Sequence, residues 1–136
     1  MTRPAISYDP EEEIFFLDNF ANTTFVDQHQ VDRAFGDALR FWRTHAGGKK
    51  VYVVVDYTGV VIDPKIVEYF GKKRAESVSG FTLVAVRYGG DLTTRAALRA
   101  MAVKTHIPSN LYASRQDAIA IVRGIRNGRI QVEASP

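Results

Sequence analysis

The 136-residue sequence predicts a single α/β domain with one sheet of four to five strands and about four helices. β-Branched runs such as 50–56 and 81–87 alternate with segments whose apolar residues recur at helical spacing. Turn residues separate these segments at short intervals, as in one compact domain. Strands that alternate with helices favour parallel neighbours joined by right-handed crossovers. We therefore expect one domain over residues 1–128 and a flexible tail over 129–136.

The first elements are predicted to be a β-hairpin and a long helix. Residues 5–8 and 13–19 are typical of strands, and the turn between them begins at Asp9-Pro10. Residues 27–45 predict an amphipathic helix that ends at Gly47-Gly48. Its apolar stripe, which we assign to the core, comprises Val31, Phe35, Ala38, Leu39 and Trp42.

The middle of the chain predicts a buried strand, a loop and a second helix. The strand is 50–56, whose nearly unbroken β-branched run suggests burial on both faces. Residues 57–62 are expected to form a loop. Asp63-Pro64 then begins the helix, because Asp caps free amides and Pro suits the first helical position.

The last third of the sequence predicts two more βα pairs. A buried strand at 81–87 precedes a turn and a helix over 92–105, which is apolar enough that most of it should be covered. Residues 110–113 suggest a short edge strand. Ser114 is placed to cap a final helix at 115–125.

Composition excludes several classes of function. The chain has no cysteine, which removes disulfides, thiol catalysis and cysteine-based metal sites. It has no apolar run of membrane-spanning length and no signal-peptide core, so we expect a cytoplasmic protein without membrane insertion. Residues 1–64 carry 6 Lys and Arg against 10 Asp and Glu, whereas residues 65–136 carry 12 against 5. We assign the basic excess to solvent-facing helix surfaces, since no nucleic-acid-binding motif accompanies it.

The segment from Val51 to Ile125 resembles SpoIIAA-like STAS domains, which include anti-sigma factor antagonists and the tails of sulfate transporters. Three stretches carry the resemblance: VYVVVDYTGVVID, then DPKIVEYFGKKRA, which is similar to uncharacterised bacterial members, and NLYASRQDAIAIVRGI. With the leading hairpin, the resemblance covers most of the chain. It implies a SpoIIAA-like fold and a non-catalytic role in protein binding.

Signalling members of that family are switched by phosphorylation of a serine in a D-S-S-G segment at the start of the second helix. The corresponding segment here is Asp63-Pro64-Lys65-Ile66, which keeps the acid but has no hydroxyl. The nearest hydroxyl belongs to Thr58. The sequence therefore departs from the family at the residue that carries the switch.

Few residues suggest chemistry of another kind. His29, His45 and His106 are dispersed and have no metal-ligand spacing, so we expect no metal and no cofactor. Asp56 and Asp63 flank one loop at a strand end, either as paired carboxylates or simply as acceptors of loop and helix amides. The turn before the third helix offers free amides to an anion or ligand, with Gly89, Gly90, Asp91, Thr93 and Thr94 as candidates.

The sequence leads to a non-catalytic protein-interaction or regulatory module as the expected function. Its candidate partner-binding residues are Tyr57, Thr58, Asp63 and Lys65. Two alternatives stay open: a carrier or sensor of a small apolar ligand or lipid beneath the third helix, and an enzyme of unrecognised type. A homodimer is compatible with the sequence, and no nucleic-acid partner is expected.

Overall fold

The computed structural model describes residues 4–129 and shows an α/β fold with a mixed five-stranded sheet and four helices. In chain order the strands are Ile6–Asp9 (β1), Ile14–Leu17 (β2), Thr24–Phe25 (β3), Val51–Asp56 (β4), Val61–Ile62 (β5), Thr82–Tyr88 (β6) and Leu111–Tyr112 (β7). The helices are Gln28–Ala46 (α1), Val67–Phe81 (α2), Leu92–Thr105 (α3) and Arg115–Arg126 (α4).

The main sheet has the strand order β1-β2-β4-β6-β7. β1 pairs with β2 in an antiparallel hairpin, and the remaining neighbours are parallel. β4 lies at the centre, where Val53 pairs with Phe15 on one side and Ala85 on the other. The leading hairpin and the parallel βα units are therefore confirmed.

A second, two-stranded sheet is the main addition to the predicted architecture. β3 and β5 are parallel and pair Thr24 with Val61 and Phe25 with Ile62. The stretch 57–62, expected to be a loop, therefore ends in a strand. Two-residue strands are too short to show the alternation that identifies a strand in sequence.

Helices cover both faces of the main sheet. One buried cluster contains Phe15 and Val53 of the sheet, Val31 of α1, Phe70 of α2 and Leu98 of α3. The other face packs mainly against α4, through Ile14, Val54, Val86, Ala118 and Val122. Burial of these apolar side chains is the main force that stabilises the layers.

Three of the four helices begin directly after the predicted capping residue, and α2 begins later than predicted. Asp27, Asp91 and Ser114 each accept a backbone N–H at the start of α1, α3 and α4. Asp63 instead caps a 3-10 turn over Pro64–Ile66, and α2 begins only at Val67.

The expected tail, 129–136, lies outside the described residues except for Arg129, whose amide donates to Gly124 O. No helix between residues 4 and 129 is long and apolar enough to cross a membrane.

Candidate functional site

The loop after β4 and the turn after β6 meet at the carboxyl edge of the main sheet, where ligands gather in open α/β sheets. The amide of Tyr57 donates to Tyr88 O at 2.9 Å. Gly89 adopts φ +80°, and a Cβ there would lie 2.6 Å from Thr58 Oγ1. Thr58, a partner-binding candidate, and Gly89, an anion-binding candidate, are therefore neighbours although they are far apart in sequence.

The first residues of α3 hold this region in place. Buried Thr94 donates its hydroxyl to Val60 O at 2.6 Å, which fixes the loop against the helix. The Thr94 amide donates to Asp91 Oδ1 at 2.8 Å, and hydrogen bonds from Thr94 lower the pKa of Asp91. The Asp91 carboxylate thus takes the place at the helix start where an anion would otherwise accept.

The four partner-binding candidates differ in accessibility. Tyr57 is 1% exposed, which corrects the expectation that its side chain contacts a partner. Its ring packs edge-on against Phe20 in the core, with centroids 5.8 Å apart. Thr58 and Lys65 are exposed, and the half-buried Asp63 accepts the Lys65 amide at 3.0 Å.

The two carboxylates that flank the loop over 57–62 act as amide acceptors. Asp56 is buried, and its Oδ1 accepts the Thr58 amide at 2.8 Å. Asp63 fills the same role at the 3-10 turn. One oxygen of each carboxylate therefore holds the backbone beside this loop.

A groove of about 1100 Å³ runs between α2 and α3, and Lys65 lies among its lining residues. The two helices approach closely at its floor, since a Cβ on Gly71 would lie 3.1 Å from Met101 Cγ. Lys104 Nζ and Glu68 Oε1 form an exposed ion pair at 3.0 Å between the helices. Of the four partner-binding candidates, the lining of the groove includes Lys65 and not Tyr57, Thr58 or Asp63.

The third helix is less covered than its composition suggested. Leu92 is 86% exposed and Val103 is 64% exposed, which corrects the expectation that most of α3 is buried. Ala96 and Ala100 are also exposed. These four residues, spaced at 4, 4 and 3, form one apolar stripe along the helix, which we call the α3 stripe.

Sequence reasoning missed a pair of buried arginines. Arg74 of α2 is 2% exposed, as is Arg87 of β6. The sequence does indicate burial at both positions. Arg74 shares the helical face of Phe70 and Val78, and Arg87 lies in a strand expected to be buried.

Within the part of the chain that the structure describes, no group of three or more acidic, histidine or cysteine side chains is placed to hold a metal. His29 lies at the start of α1, His45 at its end, and His106 just after α3. Comparison of the chain with protein families, curated proteins and solved structures gives no match.

Proposed function

We propose that this chain is a non-catalytic protein-interaction module whose partner docks an acidic amphipathic helix in the α2–α3 groove. The observation that carries the proposal is the exposed α3 stripe beside that groove. The resemblance to SpoIIAA-like domains supports the same class of function. We also propose a cytoplasmic setting, in which a chain without cysteine is ordinary.

The stripe has the form that a helical partner needs. Contiguous exposed apolar residues mark interaction sites more often than isolated ones do. Amphipathic helices bind such grooves through side chains at i, i+3, i+4 and i+7 spacing. Leu92 and Val103 lie eleven residues apart, about 16 Å along a helix, which matches roughly three turns of a docked helix.

Charge defines the chemistry of the partner. The groove and the exposed side of α3 carry four cations and two acids, namely Lys65, Lys72, Arg99, Lys104, Glu68 and Glu76. Glu68 is already paired with Lys104, and Glu76 with Lys73. Lys65 Nζ in turn lies 4.0 Å from Asp63 Oδ2. The positive charge of Lys72 and Arg99 favours acidic residues on the flanks of the partner helix and accelerates its association.

Lys65 gives the module a constant charge at the position of the family's phosphorylated serine. A phosphorylated serine would add negative charge at this helix start, whereas Lys65 adds positive charge. We therefore propose recognition by fixed electrostatic attraction without a phosphorylation switch at this position.

The alternatives gain less support from the geometry. The cavity among α1, α2 and the sheet measures about 30 Å³, against roughly 300–1000 Å³ for ordinary ligand pockets. A lipid or apolar metabolite needs more room than this cavity has, and the larger α2–α3 groove is open along the surface rather than enclosed beneath α3. Asp56 and Asp63 already accept backbone amides, which gives them a structural role.

The test is site-specific photocross-linking in the cell of origin. A photoreactive residue replaces Ala100, which lines the groove, or Lys50, which precedes β4 at the opposite edge of the sheet. We expect one adduct from position 100 and none from position 50. The cross-linked peptide should come from an acidic amphipathic segment, with at least tenfold less adduct after Lys72→Glu and Lys104→Glu.

Three results would overturn the proposal. Equal adducts from both positions would mean non-specific capture. An adduct insensitive to the two charge reversals would exclude charge-based docking. An adduct between two copies of this chain would assign the groove to a homodimer.

A further inference from the structure

Two arginines lie side by side in the core, away from the α2–α3 groove. Arg74 projects from α2 and Arg87 from β6, and each is 2% exposed. Together with Tyr57 they line a cavity of about 30 Å³. The rest of its wall is mostly apolar, with Leu17, Phe20, Phe35 and Val53 among its members.

Backbone carbonyls satisfy only part of the two guanidinium groups. Arg74 Nη2 donates to Pro108 O at 2.7 Å, and Arg87 Nη1 donates to Ser109 O at 2.9 Å. The Nε atoms of both arginines and Nη1 of Arg74 are buried without a hydrogen-bond acceptor. A guanidinium has five N–H donors, and buried donors are normally paired.

The charges are also uncompensated. Among residues 4–129, Arg74 and Arg87 donate to backbone carbonyls, and no carboxylate contributes to the pKa shift of either guanidinium. Burial, together with the neighbouring charge of Arg87, lowers the pKa of Arg74 to about 9. Burial also lowers the pKa of Arg87, whose guanidinium interacts with the Tyr57 hydroxyl. Two buried cations without an anion are strongly unfavourable.

We propose that this cavity binds a small monovalent anion, of the size of chloride, between Arg74 and Arg87. The anion supplies the negative charge and the hydrogen-bond acceptor that the surrounding chain lacks. The volume has room for about two water-sized groups, which admits a halide and excludes phosphate or a larger organic acid. This site is independent of the proposed protein-binding groove.

The test measures thermal unfolding of the full chain in sodium bromide against sodium gluconate at equal ionic strength. Bromide reports the halide site, and gluconate is too large for the cavity. We expect bromide to raise the melting temperature saturably by about 3–6 °C. Crystals grown in bromide should show an anomalous scattering peak in the cavity.

Arginine variants distinguish bromide bound in the cavity from bromide bound at the protein surface. Arg74→Met and Arg87→Met should each abolish the bromide-dependent rise. Arg95→Met is the matched control, because Arg95 donates to the carbonyls of Gly89 and Tyr112 and does not line the cavity. It should keep the full rise.

Equal melting in bromide and gluconate, with no peak in the cavity, would overturn the proposal. The arginines would then serve only to hold the segment at Pro108 and Ser109 against the sheet. A rise that survives in a folded Arg74→Met or Arg87→Met variant would also overturn it. Should those variants fail to fold, the anomalous peak of the unmodified chain decides.

Discussion

The buried hydrogen bond from Thr94 to Val60 is expected to stabilise the whole carboxyl edge of the sheet. Thr94 is 3% exposed, and its hydroxyl lies 2.6 Å from the carbonyl oxygen of Val60. Thr94→Val keeps the shape of the side chain and removes the donor. A buried acceptor left without its partner destabilises a protein by about 1–3 kcal/mol.

The expected loss of about 2 kcal/mol is large enough to measure by urea unfolding. With an m-value of about 1.5 kcal/mol/M, the midpoint should fall by about 1.3 M. Because Val60 belongs to the loop that leads into β5, the amides of Val61 and Asp63 should also exchange faster. These amides donate to Thr23 O and Phe25 O, which join β5 to β3.

Thr105→Val is the matched control for this measurement. Thr105 lies in the same helix, and its hydroxyl donates to Met101 O, one turn earlier, at 2.8 Å. This bond is local, so its loss should change the free energy of unfolding by less than about 0.5 kcal/mol. Equal midpoints for the two variants would refute the reasoning that Thr94 fixes the loop.

Three further substitutions test the residues that begin α3, follow β6 and begin α4. The lowered pKa of Asp91 means that its carboxylate stabilises the native state at neutral pH and that this stabilisation is lost as the carboxylate is protonated. Asp91→Asn has no such carboxylate, so its free energy of unfolding should fall less than that of the wild type between pH 5 and 2. Urea midpoints across that range measure the difference. Gly89→Ala should destabilise more than Gly128→Ala in thermal melts, because both have positive φ but only the former brings a Cβ against Thr58. Ser114→Ala should reduce the free energy of unfolding by about 1 kcal/mol, as measured in urea, through loss of the α4 cap.

Local rules account for most of the fold. Capping by Asp27 and Ser114, the β-branched run of β4 and the turn at Gly47 act over a few residues, and each is visible in the chain. The β3–β5 pair depends on contacts between residues far apart in sequence. Its members are too short to show a period, so no local pattern predicts it.

In the candidate site, too, local sequence predicts some features and contacts between distant segments determine others. Thr58 and Lys65 are exposed because turns and helix starts face solvent, as local reasoning expects. Tyr57 is buried because Phe20, from a distant segment, packs against its ring. The exposure of Val103 follows from the absence of any element of residues 4–129 packed over that side of α3, which a helical period alone does not reveal.

The two proposals meet on α2 and remain separable there. Lys72 and Arg74 are two residues apart, which places them about 200° apart around the helix. Accordingly, Lys72 faces the groove and Arg74 faces the cavity. Lys72→Glu should weaken partner cross-linking and leave the bromide effect unchanged, whereas Arg74→Met should do the reverse. Because the two side chains share no partner, the double variant should lose as much cross-linking as Lys72→Glu alone and as much of the bromide effect as Arg74→Met alone. A bromide response altered by Lys72→Glu would instead show that the groove and the cavity are coupled through α2.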